Sequence, residues 1–261
     1  MPHVERGNCR IHWQESGEGS PLLLIMGAVY SSALWYPALP ALAERHRVIR
    51  FDNRGTGAST STRVASISDM AQDALAVLDA AGVETAHVYG ISLGGIVAQQ
   101  LALEAPHRVR SLVLGCTGIL TADKPRAPKW ANHFFRLPKR VLVDRTRYGP
   151  ACPPANAATN QAVLRKDITQ RRALVAQQNA LRAYATTRED IATLTMPSLV
   201  LHGTDDPIVP LDWGRELAAT LPSSQLVIYQ GAGHNYLVDI GDAPNSDVLA
   251  FLEKVDATVK A

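Results

Sequence analysis

Short runs of apolar and β-branched residues recur along the chain, with helical patterns between them. LLLIM (22–26), RVIRF (47–51), AHVYG (86–90), VRSLVLG (109–115), PSLVLHG (197–203) and QLVIYQ (225–230) predict strands. CRIHWQ (9–14) has strand-like composition as well. Most of these runs are apolar at consecutive positions, the pattern of strands covered on both faces in a parallel sheet. In ISDMAQDALAVLDAAG, residues Ile67, Met70, Ala71, Ala74, Leu75, Leu78 and Ala81 recur at three- and four-residue steps. Ser66 and Asp69 have capping-box spacing at its start, and Gly82 marks its end. A second helix is predicted after Ser92, stopping before Pro106, and a third over 243–256. Strands alternating with helices imply right-handed crossovers and an α/β fold: an open, doubly wound, mostly parallel sheet.

Residues 119–190 break this rhythm. Pro125, Pro128, Pro138, Pro150 and Pro153 precede a polar, Ala-rich helical stretch around 161–185. Leu164, Ile168, Leu174, Val175, Leu181 and Tyr184 could form its apolar face. The expected organisation is a core of residues 1–118 and 191–261 with a helical cap, or lid, inserted at 119–190. Charge follows the same division. The segment holds 14 Lys and Arg against 5 Asp and Glu, and the remainder 12 against 19. The plain reading is solvated helix faces. The sharper one is a lid that attracts an anionic substrate or docks on the acidic core.

Bulk composition excludes several classes. At 261 residues, 46% hydrophobic and 19% charged, the chain has the make-up of a soluble globular protein. No apolar stretch reaches the ~18 residues of a membrane span. The start, MPHVERGNCRIHW, lacks the apolar h-region of a signal peptide, so a cytoplasmic location is expected. Cys9, Cys116 and Cys152 are an odd number without CxxC spacing, which argues against a zinc site or disulfide framework. No basic and aromatic array suggests nucleic acid. Neither a metal nor an organic cofactor is expected.

VYGISLGG (88–95) carries the strongest chemical signal. Gly90-Ile91-Ser92-Leu93-Gly94 has the form G-x-S-x-G between a predicted strand and a predicted helix. A serine on that sharp turn is pushed above the sheet, and the flanking glycines remove side chains that would clash. The three fixed residues alone would match by chance in roughly one such chain in ten, so the strand–turn–helix context is what makes the motif informative. A serine hydroxyl needs a base, and the base an orienting acid. LHGTDDPIVP puts Asp205 and Asp206 after one strand, and GAGHNY puts His234 after the next. Catalytic groups of open α/β sheets gather at those strand ends.

With these residues the chain resembles the α/β-hydrolase superfamily over nearly its whole length. The G-x-S-x-G elbow, a G-x-x-D motif from Gly203 to Asp206 followed by Val209-Pro210, the G-x-G-H motif and the loop FDNRGTGAS (51–59) carry the resemblance. It looks most like small serine carboxylesterases, enol-lactonases and related cofactor-free hydrolases. The resemblance implies Ser92 as nucleophile, His234 as base and Asp206 as acid, with Asp205 kept as an alternative. It also places an oxyanion hole at the Ala28 and Leu93 amides, beside Gly27. Where the family usually has His-Gly-x, this chain has Met26-Gly27-Ala28, with Trp35 at the matching tryptophan position. Main-chain donors survive that change, but an imidazole that could support the loop is lost.

The function so implied is hydrolysis of a carboxylic ester-type bond, ester or lactone, through an acyl-enzyme. A thioesterase, a cofactor-free perhydrolase or haloperoxidase, and a small-molecule receptor on the same scaffold are the alternatives. Trp130, Phe134 and Phe135 could line the acyl pocket or form the lid's own core. His202, at a strand end, reads as structural. His12 and His87 sit in strand-like runs without metal-ligand spacing, and His46 and His107 are expected to be exposed. Gly55 and Gly57 are loop glycines rather than half of a dinucleotide fingerprint.

Overall fold

A computed structural model describes residues 2–60, 66–124, 148–167 and 171–259. Its strands are β1 His3–Arg6, β2 Cys9–Ser16, β3 Ser20–Ile25, β4 His46–Phe51, β5 Ala86–Ile91, β6 Val109–Gly115, β7 Ser198–Gly203 and β8 Ser224–Tyr229. They form one sheet in the order β1-β2-β4-β3-β5-β6-β7-β8. The β1–β2 and β2–β4 pairs are antiparallel, and every pair from β4 to β8 is parallel. The apolar runs are therefore strands as expected. β1 was not legible because HVER carries no apolar run. It is an edge strand held by backbone pairing with β2 through a turn at Gly7, φ 58°.

The alternation within β3 shows how the sheet is covered on both faces. Leu22 and Leu24 join Trp35, Tyr89, Val113 and Phe251 in one apolar layer. Leu23 and Ile25 join Val77, Leu78, Val97 and Leu101 in the other. Helices α1 (Leu39–Ala43) and α9 (Ala243–Val259) belong to the first layer, and α2 (Ile67–Ala80) and α3 (Leu93–Glu104) to the second. All four of these β3 side chains are fully buried, each worth about 1.5–3 kcal/mol. The α2 start is a true capping box. Ser66 Oγ accepts from Asp69 N at 3.0 Å, and Asp69 Oδ2 accepts from Ser66 N at 2.9 Å.

Between β6 and β7 lie α4 (Pro154–Lys166), α5 (Arg171–Ala183) and α6 (Arg188–Ala192). The stretch expected as one helix over 161–185 is thus two, with extended backbone at Asp167 (ψ 128°) ending the first. Of the expected apolar face, Leu164 is buried and Leu174, Leu181 and Tyr184 pack against the core, so Val175 is the described position that departs from it. Val175 is 53% exposed, whereas Ala173, Ala176, Gln177 and Ala180 are buried. These positions share the helical spacing, and small side chains let α5 sit close to its neighbours. Ile168 lies outside the described residues. Two basic groups of this segment, Lys124 and Arg188, pair with Glu216 on α7 (Leu211–Thr220). The basic residues from 126 to 147 lie outside the described residues. No helix among the described residues is long and apolar enough to cross a membrane.

His46 is buried, contrary to expectation, because it opens β4 and packs edge-on to His87 with ring centroids 6.1 Å apart. His87 is fully buried. Its Nδ1 lies 2.7 Å from Ser111 Oγ and its Nε2 3.0 Å from Asp256 Oδ1, with Arg110 on the same carboxylate. Burial outweighs Asp256 and lowers the His87 pKa to about 4. The unfolded imidazole binds its proton near 6.5, so stability is full above that pH and declines as pH falls from 6.5 to about 4. Thermal unfolding followed across that window should show a falling Tm. His87→Gln should flatten the slope in part, since burial also holds His46 and His202 low.

Candidate active site

The last residue before α3 is a non-glycine residue in a strained conformation. Ser92 follows β5 with φ 55° and ψ −117°, a conformation costing on the order of 1–3 kcal/mol. Its backbone is held from several sides. Ser92 N donates to Gly115 O at 2.8 Å, and its carbonyl accepts from Thr117 Oγ1 at 3.0 Å. The two motif glycines make the turn possible. A Cβ on Gly90 would collide with the Gly94 carbonyl, and one on Gly94 with the Ile25 carbonyl at the end of β3. A Cβ on Gly27 would lie 3.3 Å from Ile91 O and 3.4 Å from Ser92 Cβ. Bare backbone therefore lets the Met26-Gly27-Ala28 turn press against the serine elbow.

At the end of β7, the Asp206 side chain is fully buried. Its Oδ1 accepts from Ile208 N at 2.8 Å and Val209 N at 3.0 Å. Its Oδ2 lies 2.8 Å from His234 Nδ1. A carboxylate only accepts, so this contact puts the proton on Nδ1 and leaves His234 Nε2 as the basic nitrogen. Asp205, the alternative, is exposed and accepts from Thr204 Oγ1 at 2.6 Å instead. Burial raises the Asp206 carboxyl, but His234 and the two amides more than offset it, so it sits below its ordinary value. Burial disfavours the His234 imidazolium, but the Asp206 carboxylate outweighs it and raises His234 above its ordinary value.

One cavity is lined by Gly27, Ala28, Ser92 and His234, with apolar walls from Met26 and Leu237 among others. The turn, the serine and the imidazole expected from sequence thus share one space. Leu93, the first residue of α3, follows the lining serine but is not itself among the lining residues, and its side chain is buried. Neither the Ala28 nor the Leu93 N–H has a hydrogen-bond partner among the described residues. Trp130, Phe134 and Phe135 lie outside the described residues. Trp35 belongs to the core instead, packed edge-on to Tyr89 at 4.7 Å.

Several supports were not foreseen. Asn53 Nδ2 donates to Met26 O at 2.8 Å, bracing the turn that lacks the usual histidine. Asp239 Oδ2 accepts from Gly233 N at 2.6 Å and Gly149 N at 2.8 Å, fixing the approach to His234. His202 Nε2 lies 2.9 Å from Val209 O and 3.5 Å from Asp206 Oδ2, so its structural reading places it against the acid. Cys116 follows β6 with φ 38° and is fully buried; its sulfur, Asp206 and His234 offer ligand atoms within 4.8 Å of one another. Burial pushes the Cys116 thiol up, and Asp206 and His234 already bond each other, which suits a proton-holding cluster better than a cation. Its position just past a strand end was the available sequence signal.

The model of the family described as alpha/beta hydrolase fold matches residues 20–239. The chain belongs to that family. As an α/β hydrolase it is 33% identical over 273 residues to a protein of Azorhizobium caulinodans whose name proposes a carbamate hydrolase, RutD, covering 98% of this chain and 100% of the relative. It is 29% identical over 258 residues to the pimeloyl-[acyl-carrier protein] methyl ester esterase of Aliivibrio salmonicida, covering 94% of this chain and 97% of the relative. The crystal structure of the enol-lactonase from Burkholderia xenovorans LB400 shares the fold of this hydrolase. Its TM-score is 0.87 at 22% identity, over 97% of this chain and 100% of that one.

The glycine contacts generate a direct test. Gly94→Ala drives a methyl group into the Ile25 carbonyl, and neither backbone can yield without moving the turn or the elbow. Urea unfolding should show a loss of about 1–3 kcal/mol, the range for overpacking. A loss below about 0.5 kcal/mol would contradict the close approach.

Proposed function

We propose that this α/β hydrolase is a serine hydrolase that cleaves a carboxylic ester-type bond, ester or lactone, through an acyl-enzyme. The observation that carries the reading is the 2.8 Å contact between His234 and Asp206 at the cavity that also exposes Ser92. Ser92 Oγ attacks the substrate carbonyl carbon while His234 Nε2 takes the hydroxyl proton. Asp206 keeps the proton on Nδ1 and stabilises the imidazolium that forms. The Ala28 and Leu93 N–H groups receive the oxyanion. The tetrahedral adduct expels the alcohol, which collects the proton from His234, and Ser92 is left acylated. Water, activated by His234, then releases the acid and regenerates the serine. The described part of the segment between β6 and β7, which lines the cavity through Asn160 and Leu164, serves as its cap and sets substrate choice.

A carbamate is the second reading, favoured by the RutD relative that matches across almost the whole chain. Its carbonyl would follow the same addition and elimination. A panel of p-nitrophenyl esters, lactones, thioesters and a carbamate separates these substrates. Ser92→Ala should lower turnover of every active member by several orders of magnitude, with circular dichroism and Tm unchanged. Near-full turnover by that variant would remove the serine from the reaction.

The electrostatics give a second prediction. His234 must be neutral to act as base, and its carboxylate partner raises its pKa above 6.5. The kcat/KM profile should therefore climb with pH to a limiting pKa above 6.5. Asp206→Asn removes the charge that raises it, and the remaining burial pulls the limiting pKa downward. That variant should also lose about 10⁴-fold in kcat, as expected when the imidazole loses its orienting acid. An unchanged limiting pKa in Asp206→Asn would assign the ionisation to another group.

A further inference from the structure

The turn that follows β3 is held from two directions. From the core, Asn53 Nδ2 donates to Met26 O, and Ser32 N and Oγ both donate to Asp52 Oδ1, at 2.8 and 2.7 Å. From the segment between β6 and β7, Gln177 Oε1 accepts from Val29 N at 2.8 Å. The same amide donates through Nε2 to Arg54 O at 3.2 Å. Asp167 Oδ2 accepts from Ser31 N at 3.3 Å. Gln177 is 2% exposed on α5, so its amide sits among the loops rather than in water.

Val29 is the point that most needs a brace. Its φ is 69°, the left-handed region, which a β-branched residue adopts at a cost. Peptide planarity leaves only the two soft dihedrals of Ala28 between the Ala28 N–H and the Val29 N–H. Fixing the second amide therefore restricts the direction of the first. The residues of the turn that precede Gln177's contact lack the family's histidine, and among the described residues Asn53 is the side chain that donates to the carbonyl of Met26.

We propose that Gln177 is a positioning residue that aims the Ala28 N–H into the oxyanion site, so that the site is complete only with α5 seated against the turn. The inference rests on the serine-hydrolase reading above. It makes the cap more than a wall of the pocket. A cap helix supplies the acceptor that holds a strained core turn, and seating of the cap and readiness of the oxyanion donor become one event.

The test compares wild type with Gln177→Met, which keeps the volume but removes both polar contacts. Steady-state kinetics on a p-nitrophenyl ester are paired with the affinity of a trifluoromethyl ketone, whose adduct places an oxyanion where the substrate's would be. In Gln177→Met, kcat should fall about 10- to 100-fold with KM within about two-fold, below the full loss seen when an oxyanion donor is deleted. Ketone affinity should fall by the same factor as kcat/KM; the urea midpoint should fall as well, because the buried Val29 N–H loses its acceptor, while the protein stays folded at assay conditions. Gln177→Leu repeats the test if the Met variant does not fold. Val175→Ala, exposed on the same helix, should leave both readouts unchanged. A kcat within two-fold of wild type, or a loss confined to KM with unchanged ketone affinity, would overturn the proposal. Ser92→Ala run alongside separates the two ideas. Wild-type turnover by that variant removes the serine reading, whereas an inactive Ser92→Ala beside an unaffected Gln177→Met removes the brace alone.

Discussion

Close approach of three backbones organises this molecule. A side chain on Gly94 in the first turn of α3 would collide with the Ile25 carbonyl at the end of β3, one on Gly90 with the Gly94 carbonyl, and the Gly27 peptide after β3 lies in close contact with Ile91 and Ser92. That contact needs glycine on both sides of the serine. It forces Ser92 into a strained conformation at the top of β5, the neighbour of β3 in the sheet. The strain is affordable because the surrounding sheet is buried on both faces and the Ser92 backbone is bonded to Gly115 and Thr117. Everything proposed for the chemistry sits on this junction, since it sets serine and turn beside one cavity.

Asp206 and His234 reach the junction from the other half of the sheet. β6, β7 and β8 extend it in parallel order, so the loops after β7 and β8 emerge at the same edge as the serine. Asp206 and His234 meet there although 28 residues separate them in sequence. Their contact explains both directions of their ionisation, the carboxyl held low and the imidazole held high. Cys116 and His202 close around the pair, which keeps it largely out of water.

What was legible in the sequence was local. Consecutive apolar residues marked the parallel strands, Ser66 and Asp69 marked the start of α2, and the glycines around Ser92 marked a turn. G-x-x-D spacing pointed to Asp206 rather than Asp205, and Asp206 is the one of the two that lies against His234. What was not legible depends on long-range partners. Nothing near Gln177 indicates that it meets Val29, 148 residues away. Asn53 in a loop and Asp239 in a short helix look like ordinary polar residues until the carbonyl of Met26 and the amide of Gly233 are beside them. Along α5 and just past it, the expected Leu174, Leu181 and Tyr184 do pack against the core, whereas Val175 faces outward and the most deeply buried positions are small alanines and one hydrogen-bonded glutamine, which an apolar pattern passes over. His46 was misplaced because its burial comes from the start of β4 and from His87, not from its own neighbours in sequence.

The proposed chemistry rests on activation of Ser92 by the buried Asp206 carboxylate and the His234 imidazole. A fluorophosphonate probe reacts with an activated serine and leaves a covalent phosphonyl mark, which peptide mass spectrometry can place on one residue. Wild-type protein should carry a single adduct on the peptide containing Ser92, and His234→Ala should abolish it while remaining folded. An adduct on another residue, no adduct at all, or equal labelling in His234→Ala would contradict the account.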